Sequence, residues 1–542
     1  MAHYNADGTQ AAVLDSAHIG DITGALGTIR FGDVARRKGF QARLNTLLAI
    51  VGPGLIVMVG DNDAGAFATY TQAGQNYGTA LLWTLLLLVP VLYVNQEMVL
   101  RLGAVTGVGH ARLILERFGR FWGAFSVIDL FILNGLTIVT EFIGISLALD
   151  YLGLPKIAGV ALAAVLTMVA ASTGSLRRFE RFALILCLGS LLLVPVVVIA
   201  HVPAGRIAHD LLVPSLPEGK LSDILLLIIG IVGTTIAPWQ LFFQQSYIID
   251  KRITPRFIAY AKVDLWLGIV LVMIGAIAMI VFCAAIFEGT TEFGNFTDAG
   301  GIAAGLAKYA GPTAGTLFAI ALIDAAIIGA AAVSLSTAYA VSDVLALNHS
   351  LHRKTREARG FYLVYAGLIA VAAAVVVVPG APLGLITLGV QTLAGVLLPS
   401  ATVFLLLLCN DRAVLGPWVN GRWLNMFTGA VIAVLITLSI ILTSAVLYPD
   451  ITGAQIAAVL GGGLALAVVG YGLSWILGRH RVAEPSLPRA LRLTWRMPPL
   501  VTLAPLPMGA ARWAWMLVLR LYLVLAASMV VVRVVQLALG QG

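Results

Sequence analysis

Charged residues are scarce in this chain, and their scarcity is the first constraint on its fold. Asp, Glu, Lys and Arg make up 11% of the 542 residues, whereas 60% are hydrophobic, and the mean hydropathy is +0.96. A soluble globular domain carries about 25% charged residues. The composition therefore excludes a soluble protein and predicts an all-α protein that crosses a membrane many times.

Cysteines and enzyme motifs are also rare. Three cysteines, Cys187, Cys283 and Cys409, lie within or beside apolar runs, which excludes a disulfide framework and zinc-type spacing. Residues 1–35 lack the apolar core of a cleavable signal peptide, so none is expected. No nucleophile–base pair, phosphate loop or cofactor motif occurs in the sequence. We therefore expect neither an enzyme nor a bound catalytic cofactor.

Apolar segments dominate the remainder, and their loops carry an alternating charge. The net charge of +8 does not indicate nucleic-acid binding, because the Lys and Arg residues of the loops between segments gather after the second, fourth, sixth, eighth and tenth segments. Basic loops stay in the cytoplasm, so the pattern predicts a multi-pass protein of the cell inner (plasma) membrane with a cytoplasmic N-terminus. Twelve segments have spanning length, namely residues 47–71, 79–100, 122–149, 156–174, 182–202, 222–248, 258–286, 311–345, 361–379, 383–408, 425–448 and 453–478.

These segments predict four regions. Residues 1–45 are expected to be a mobile cytosolic tail, and residues 46–410 a core of ten helices. Residues 411–480 add two helices. Residues 481–542 form a basic, Pro-rich linker and an apolar run, 513–538, which either spans the membrane a thirteenth time or lies in the interface.

The first apolar segment contains carboxylates at its middle, where residues 52–69 read GPGLIVMVGDNDAGAFAT. A charge at bilayer depth costs several kcal/mol unless it is paired, solvated or functional. Gly60 and Gly65 flank the acids, which predicts that the helix unwinds there and exposes backbone carbonyls beside Asp63. Unwound backbone at this depth is tolerated only where it lines a cavity or is buried in protein. The pattern indicates a cation site near the bilayer midplane.

The sixth segment is interrupted as well, and its residues 228–240 read IIGIVGTTIAPWQ. Pro238 removes a helix hydrogen bond and clashes with the preceding turn, and Gly233 weakens the same region. A lone proline kink is common in membrane helices. Interrupted helices at an offset of five segments, however, are typical of the central site of a transporter built from two inverted five-helix repeats, here 46–203 and 221–410.

Several motifs resemble the Nramp family of divalent-metal transporters, which have the LeuT-type fold. The resemblance covers roughly residues 47–450 and implies alternating-access transport of a divalent metal ion across the bilayer. The matching motifs are Gly52-Pro53-Gly54, residues 63–69 (DAGAFAT), residues 72–74 (QAG), residues 81–83 (LLW), residues 101–107 (RLGAVTG), residues 141–144 (EFIG) and residues 317–320 (LFAI).

The metal-site motif departs from the family pattern. Asp63 keeps the Asp of the family's Asp-Pro-Gly-Asn, but Ala66 replaces the Asn ligand. In the sixth helix, the Ala, Met and His of Ala-x-x-Met-Pro-His are replaced by Thr234, Ala237 and Trp239. In the third helix, the Asp-x-x-Glu pair becomes Ile138 and Glu141, and a tenth-helix Gln is matched by Gln391.

These substitutions favour a hard, hydrated ion. A thioether helps a site to select transition metals, and Ala237 removes it, whereas Ala66 removes an amide and widens the site. Mg²⁺ dehydrates reluctantly and prefers octahedral oxygen ligands. We predict uptake of largely hydrated Mg²⁺, and also of Mn²⁺, as the resemblance to the prokaryotic Nramp-related magnesium transporters implies. The predicted metal set is Asp63, Thr234, Ala237, Asn62, Gly60, Ala66 and Gln391.

Proton coupling is not expected, because the family's relay positions at Ile138 and Trp239 cannot titrate. Structural explanations stay open for Asp61 (a vestibule acid), Asn62 (a helix cap) and Glu141 (a backbone partner). The residues assigned to the pathway or gate are Asp61, Glu141, Trp239, Gln240, Gln244 and Gln96.

Three alternatives remain. The first is a proton-coupled Mn²⁺/Fe²⁺ importer of the usual Nramp kind, the second a transporter of an organic solute with the same fold, and the third a metal sensor that signals through its tails. A monomer is the expectation for the assembly, which the sequence does not itself determine.

Overall fold

The computed structural model describes residues 16–201, 204–377, 383–447, 452–478 and 488–503, and isolated positions between 516 and 532. A two-stranded antiparallel hairpin, β1 (Ile22–Thr23) and β2 (Thr28–Ile29), precedes the helices. The helices are α1 (Phe40–Ile50), α2 (Pro53–Val59), α3 (Ala64–Tyr77), α4 (Leu82–Thr106), α5 (His110–Phe118), α6 (Arg120–Tyr151), α7 (Lys156–Ala171), α8 (Leu176–Gly189), α9 (Leu193–Ile199), α10 (Ala204–Leu212), α11 (Leu221–Thr235), α12 (Pro238–Asp250), α13 (Ile258–Phe287), α14 (Ala299–Ala310), α15 (Pro312–Leu345), α16 (Arg359–Val376), α17 (Leu383–Cys409), α18 (Arg412–Leu415), α19 (Arg422–Leu447), α20 (Gly453–Gly478) and α21 (Arg489–Thr494).

Helices occupy all twelve predicted apolar segments, but fewer of them meet the length and hydropathy of a full span. Among the described residues, nine helices are long and apolar enough to cross a membrane, or ten if α1 and α2, which are bent by 52°, count as one. Both α7 and the 453–466 part of α20 are shorter apolar helices. Most of the apolar run 513–538 lies outside the described residues.

The first predicted break is present. Helix α2 ends at Val59 and α3 begins at Ala64, so that four residues, Gly60–Asp63, leave the helical path between them. Pro53, the first residue of α2, is at a position where the missing N–H of proline costs no helical hydrogen bond. The unwound residues are buried. Non-helical backbone at membrane depth is tolerated where protein encloses it.

The second break is also present, but its cause differs from the prediction. Only Ile236 and Ala237 separate α11 from α12, and Pro238 begins α12. Gly233 lies within α11 and does not form the break. A Cβ at Gly233 would be 2.1 Å from the backbone oxygen of Gln391 and 2.3 Å from the nitrogen of Gly395. Gly233 therefore allows α11 to pack closely against α17.

The hairpin packs against α1 and α8, whereas most of residues 30–45 are exposed. The mobility of the N-terminal tail stays a prediction. The hairpin lies on α1, and a Cβ at Gly24 would be 2.2 Å from the oxygen of Ala49. The Ala25 N–H donates to Glu180 Oε2 at 2.7 Å, and Arg177 Nε donates to the oxygen of Gly24 at 3.0 Å. Glu180 and Arg177 lie about 150 residues from the hairpin in the chain, so local composition does not predict these contacts.

A buried ion pair fixes the bend between α1 and α2. Glu180 and Lys251 are fully buried and 2.6 Å apart, and Lys251 Nζ donates to the oxygen of Val51 at 2.7 Å. On the other side of the bend, the Asp264 carboxylate accepts three N–H groups at the start of α2, from Gly52, Gly54 and Leu55. Charged side chains thus satisfy the backbone groups that the bend frees.

We expect Gly233→Ala to lower the thermal stability of the detergent-solubilised protein. The added methyl group meets backbone atoms of α17, which cannot rotate away, and such overpacking costs about 1–3 kcal/mol. The melting temperature followed by size-exclusion chromatography measures the effect. Gly367→Ala in α16 is the matched control, because a Cβ there meets nothing within 4 Å. An unchanged melting temperature for Gly233→Ala would mean that α11 and α17 are not tightly packed.

Candidate metal-binding site

Asp63 immediately precedes α3 and caps it, with its carboxylate turned onto the helix N-terminus. Its backbone is extended, and its Oδ1 accepts the N–H of Ala66 at 2.9 Å. Glu141 of α6 reaches the same helix end, where its Oε2 accepts the N–H of Ala64 at 3.0 Å. The partial positive charge of a helix N-terminus favours negative groups. The N-terminus of α3 therefore holds two carboxyl groups side by side.

Three carboxyl groups at the first break have no basic partner in the described part of the chain. Asp61, Asp63 and Glu141 are 1%, 3% and 0% exposed. In the part of the chain that the structure describes, no Lys, Arg or His forms an ion pair with any of them. Glu180, in contrast, is a buried carboxylate that does have a cationic partner. Buried charges need compensation, so this region requires protons or a cation.

Asp61 is connected to two glutamines assigned to the pathway. Gln240 Nε2 donates to Asp61 Oδ1, and Gln96 Nε2 donates to Gln240 Oε1 at 2.8 Å. The resulting chain joins the first break to α12 and α4. The second carboxylate oxygen, Asp61 Oδ2, is buried and has no hydrogen-bond partner among the described residues. Gln244 is also fully buried, and its amide has no partner there either.

Gln391 of α17 lies at the first break, next to α3. A Cβ at Gly65 would be 1.7 Å from Gln391 Nε2 and 3.2 Å from Asp63 Oδ1. Glycine at position 65 therefore lets the amide of Gln391 approach the carboxylate of Asp63. Gln391 Nε2 has no hydrogen-bond partner among the residues that the structure describes.

The second break presents Thr234, Ala237 and Trp239, all of them buried. Ala237 is extended, with φ −81° and ψ 143°, and Thr234 Oγ1 has no partner among the described residues. Trp239 lies in the first turn of α12, where its backbone oxygen accepts from Ser336 Oγ at 2.8 Å. These residues offer a hydroxyl, a methyl and an indole, but no thioether.

Asn62 and Gly60 have local structural roles. Asn62 Nδ2 donates to the oxygen of Val272 in α13 at 3.0 Å, so its amide nitrogen ties the unwound segment to that helix. The predicted capping by Asn62 is wrong, because Asp63 and Glu141 cap α3. Gly60 extends α2 by donating its N–H to the oxygen of Ile56 at 2.9 Å.

Two residues near the site are not predicted by the sequence motifs. The Tyr70 hydroxyl lies 2.7 Å from Thr235 Oγ1 and joins α3 to α11. Tyr70 follows Asp63 by seven residues, a spacing that puts both on one helix face and could have identified it. Gly329 of α15 is the second, since a Cβ there would be 2.7 Å from Glu141 Oε2 and 2.8 Å from Asp63 Cβ. A glycine in a long apolar helix carries no comparable signal.

Two cavities of the described chain lie away from Asp63, one beside Asp343 and His349 and the other beside Asp129 and Pro238. Within the described residues, no three His, Cys, Asp or Glu side chains are grouped so that they could hold a metal ion. Any ion at Asp63 would therefore depend on amide, hydroxyl, carbonyl and water oxygens as well.

Comparison with known proteins identifies the family. The model of the family described as Nramp, natural resistance-associated macrophage protein-like, matches residues 54–445. A divalent metal cation transporter MntH of Ralstonia nicotianae is 30% identical over 72% of this chain and 89% of its own length. MntH 1 of Pseudomonas aeruginosa is 29% identical over 70% and 88%.

A solved structure supports the fold. The crystal structure of the Eremococcus coleocola manganese transporter, in complex with an aromatic bis-isothiourea substituted compound, matches with a TM-score of 0.62 and 20% identity. The match covers 81% of this chain and 96% of that one. With the two helix breaks and the family match over residues 54–445, the chain belongs to the Nramp family.

Proposed function

We propose that this protein is a membrane transporter of divalent cations, which takes up largely hydrated Mg²⁺, and also Mn²⁺, by alternating access. The observation that carries the proposal is the set of three buried carboxyl groups at the first break, Asp61, Asp63 and Glu141, which have no basic partner among the described residues. The names of the curated relatives, divalent metal cation transporters, support the same class of substrate.

The charge of the site favours a divalent cation. Moving a carboxylate out of water costs several kcal/mol even after the protein relaxes. One divalent ion offsets two such charges, whereas an anionic organic solute would add to them. The carboxyl groups thus argue against the solute-transporter alternative.

The available ligand atoms favour a hydrated hard ion. None of the seven predicted metal-site residues contains sulfur, so a preference for soft ions has no source in that set. Asp61 Oδ2 and Thr234 Oγ1 lack hydrogen-bond partners among the described residues, and both can accept hydrogen bonds from the water shell that Mg²⁺ retains.

We further propose that transport is not coupled to protons. Ile138 and Trp239 occupy two positions at which the family carries titratable residues. Uptake would then be driven by the membrane potential, which contributes about 4.6 kcal/mol per 100 mV for a divalent cation, twice the single-charge value. This proposal includes twelve spans, of which the first ten form two inverted five-helix repeats, a cytoplasmic N-terminus in the inner or plasma membrane, and a monomeric assembly.

A proton-coupled Mn²⁺/Fe²⁺ importer is the second candidate. Glu141 favours it, because this titratable group is buried at the N-terminus of α3, where Asp63 also lies. The manganese transporter of the same fold favours Mn²⁺ as the ion. The two candidates differ in proton movement and in the ratio of Mg²⁺ to Mn²⁺ flux.

We expect Asp63→Asn to abolish most Mg²⁺ and Mn²⁺ flux into proteoliposomes. Asparagine preserves the helix cap but removes a charged ligand worth about 1.5–3 kcal/mol, about ten- to hundredfold in affinity. Asp298→Asn is the control, because Asp298 caps α14 through Gly301 with the same 2.9 Å geometry. Normal flux in the Asp63 variant would refute the site.

Ala237→Met is expected to raise the flux of Mn²⁺ relative to Mg²⁺. The variant adds a thioether at the second break, which favours the softer ion. Ala237→Leu adds similar bulk without sulfur and controls for crowding of this buried position. Competition between the two ions in the same vesicles measures the ratio. If both variants changed the ratio equally, sulfur would not be the cause.

We expect an inward Mg²⁺ gradient to leave the pH inside proteoliposomes unchanged, because neither Ile138 nor Trp239 can relay a proton. A trapped pH indicator measures the change while the membrane potential is clamped. Vesicles with Asp63→Asn provide the background. Acidification that depends on both Mg²⁺ and the intact protein would contradict uncoupled transport and favour the second candidate.

A further inference from the structure

Residues 26–40 expose several large hydrophobic side chains before the first membrane segment. The exposed fractions are 56% for Leu26, 70% for Phe31, 73% for Val34 and 79% for Phe40. Leu26 lies at the tip of the hairpin, Phe31 and Val34 lie in the irregular chain that follows, and Phe40 begins α1. A cluster of exposed apolar side chains at one place on a protein marks an interaction surface.

The same stretch carries an excess of positive charge. Arg30, Arg36 and Lys38 are exposed. Asp33 is the single acid between residues 26 and 40, and it is paired with Arg37 at 2.9 Å. Three basic side chains therefore remain uncompensated by acids of this stretch. Interleaved basic and apolar side chains are typical of segments that lie in the interface of an anionic membrane.

The stretch is held in place at several points. Arg177 binds the hairpin through the oxygen of Gly24, and Arg256 donates to the oxygen of Val34. At its other end, Phe40 starts α1, which passes through the fixed bend into α2. A surface that continues directly into a membrane segment lies close to the headgroups. This continuity and the charge favour the bilayer over a soluble partner.

We propose that residues 26–40 dock onto the anionic headgroups of the adjacent leaflet. Arg30, Arg36 and Lys38 bind lipid phosphates, and the side chains of Leu26, Phe31 and Val34 enter the boundary between headgroups and acyl chains. Docking holds the hairpin against α1 and so stabilises the start of the first broken helix. The proposal does not depend on which ion is transported.

An environment-sensitive fluorophore on Ala35→Cys, an exposed position between these side chains, tests the proposal. The full-length protein carries Cys187→Ser to limit labelling, since Cys283 and Cys409 are buried. It is reconstituted in vesicles of phosphatidylcholine alone or with phosphatidylglycerol. We expect a blue-shifted, brighter emission in the anionic vesicles, which high salt reduces.

The charge requirement is tested with Arg30→Gln/Arg36→Gln/Lys38→Gln in the same labelled background. Each residue lost should lower the docked-to-free ratio by about fivefold, since each contributes about 1 kcal/mol near an anionic surface. Lys354→Gln/Arg356→Gln/Arg359→Gln removes equal charge from another exposed stretch and should leave the shift intact. Water-like emission in both lipids, an equal shift in both lipids, or an equal loss in the control variant would each overturn the proposal.

Discussion

A helix broken inside a membrane leaves peptide groups without partners, and in this protein buried carboxylates supply them. Asp264 accepts three N–H groups where α2 begins. Where α3 begins, Asp63 and Glu141 accept one N–H group each. Each unpaired buried group would cost about 1–3 kcal/mol. The two consecutive half-helices of the first segment therefore exist because acidic side chains are placed at their N-termini.

The carboxylates that cap the broken helix also determine the charge of the candidate site. Asp264 lies near a cation, since Lys251 binds the adjacent bend, whereas Asp63 and Glu141 have no such neighbour among the described residues. Capping explains their position but does not balance their charge. The difference between the two helix starts is what separates a structural carboxylate from a candidate ion-binding one, although the residue types are the same.

Much of this arrangement could be predicted from local sequence. Glycines and acids in the first segment, and a proline in the sixth, predicted breaks that lie at Gly60–Asp63 and Ile236–Ala237. Local signals failed where the partner is remote. The sequence predicts Gly233 as a helix breaker, but the backbone that it approaches belongs to Gln391 and Gly395, far along the chain. Asn62 likewise donates to the oxygen of Val272, about 210 residues away.

The buried junction of Ala25, Val51, Glu180 and Lys251 has a consequence for biosynthesis. The ion pair at this junction forms only after Lys251, more than 200 residues beyond the hairpin, has been made and inserted. At about 5–20 residues per second, the hairpin is synthesised roughly 10 to 45 seconds before Lys251. During that interval Glu180 and the oxygen of Val51 wait for the cation that binds both of them.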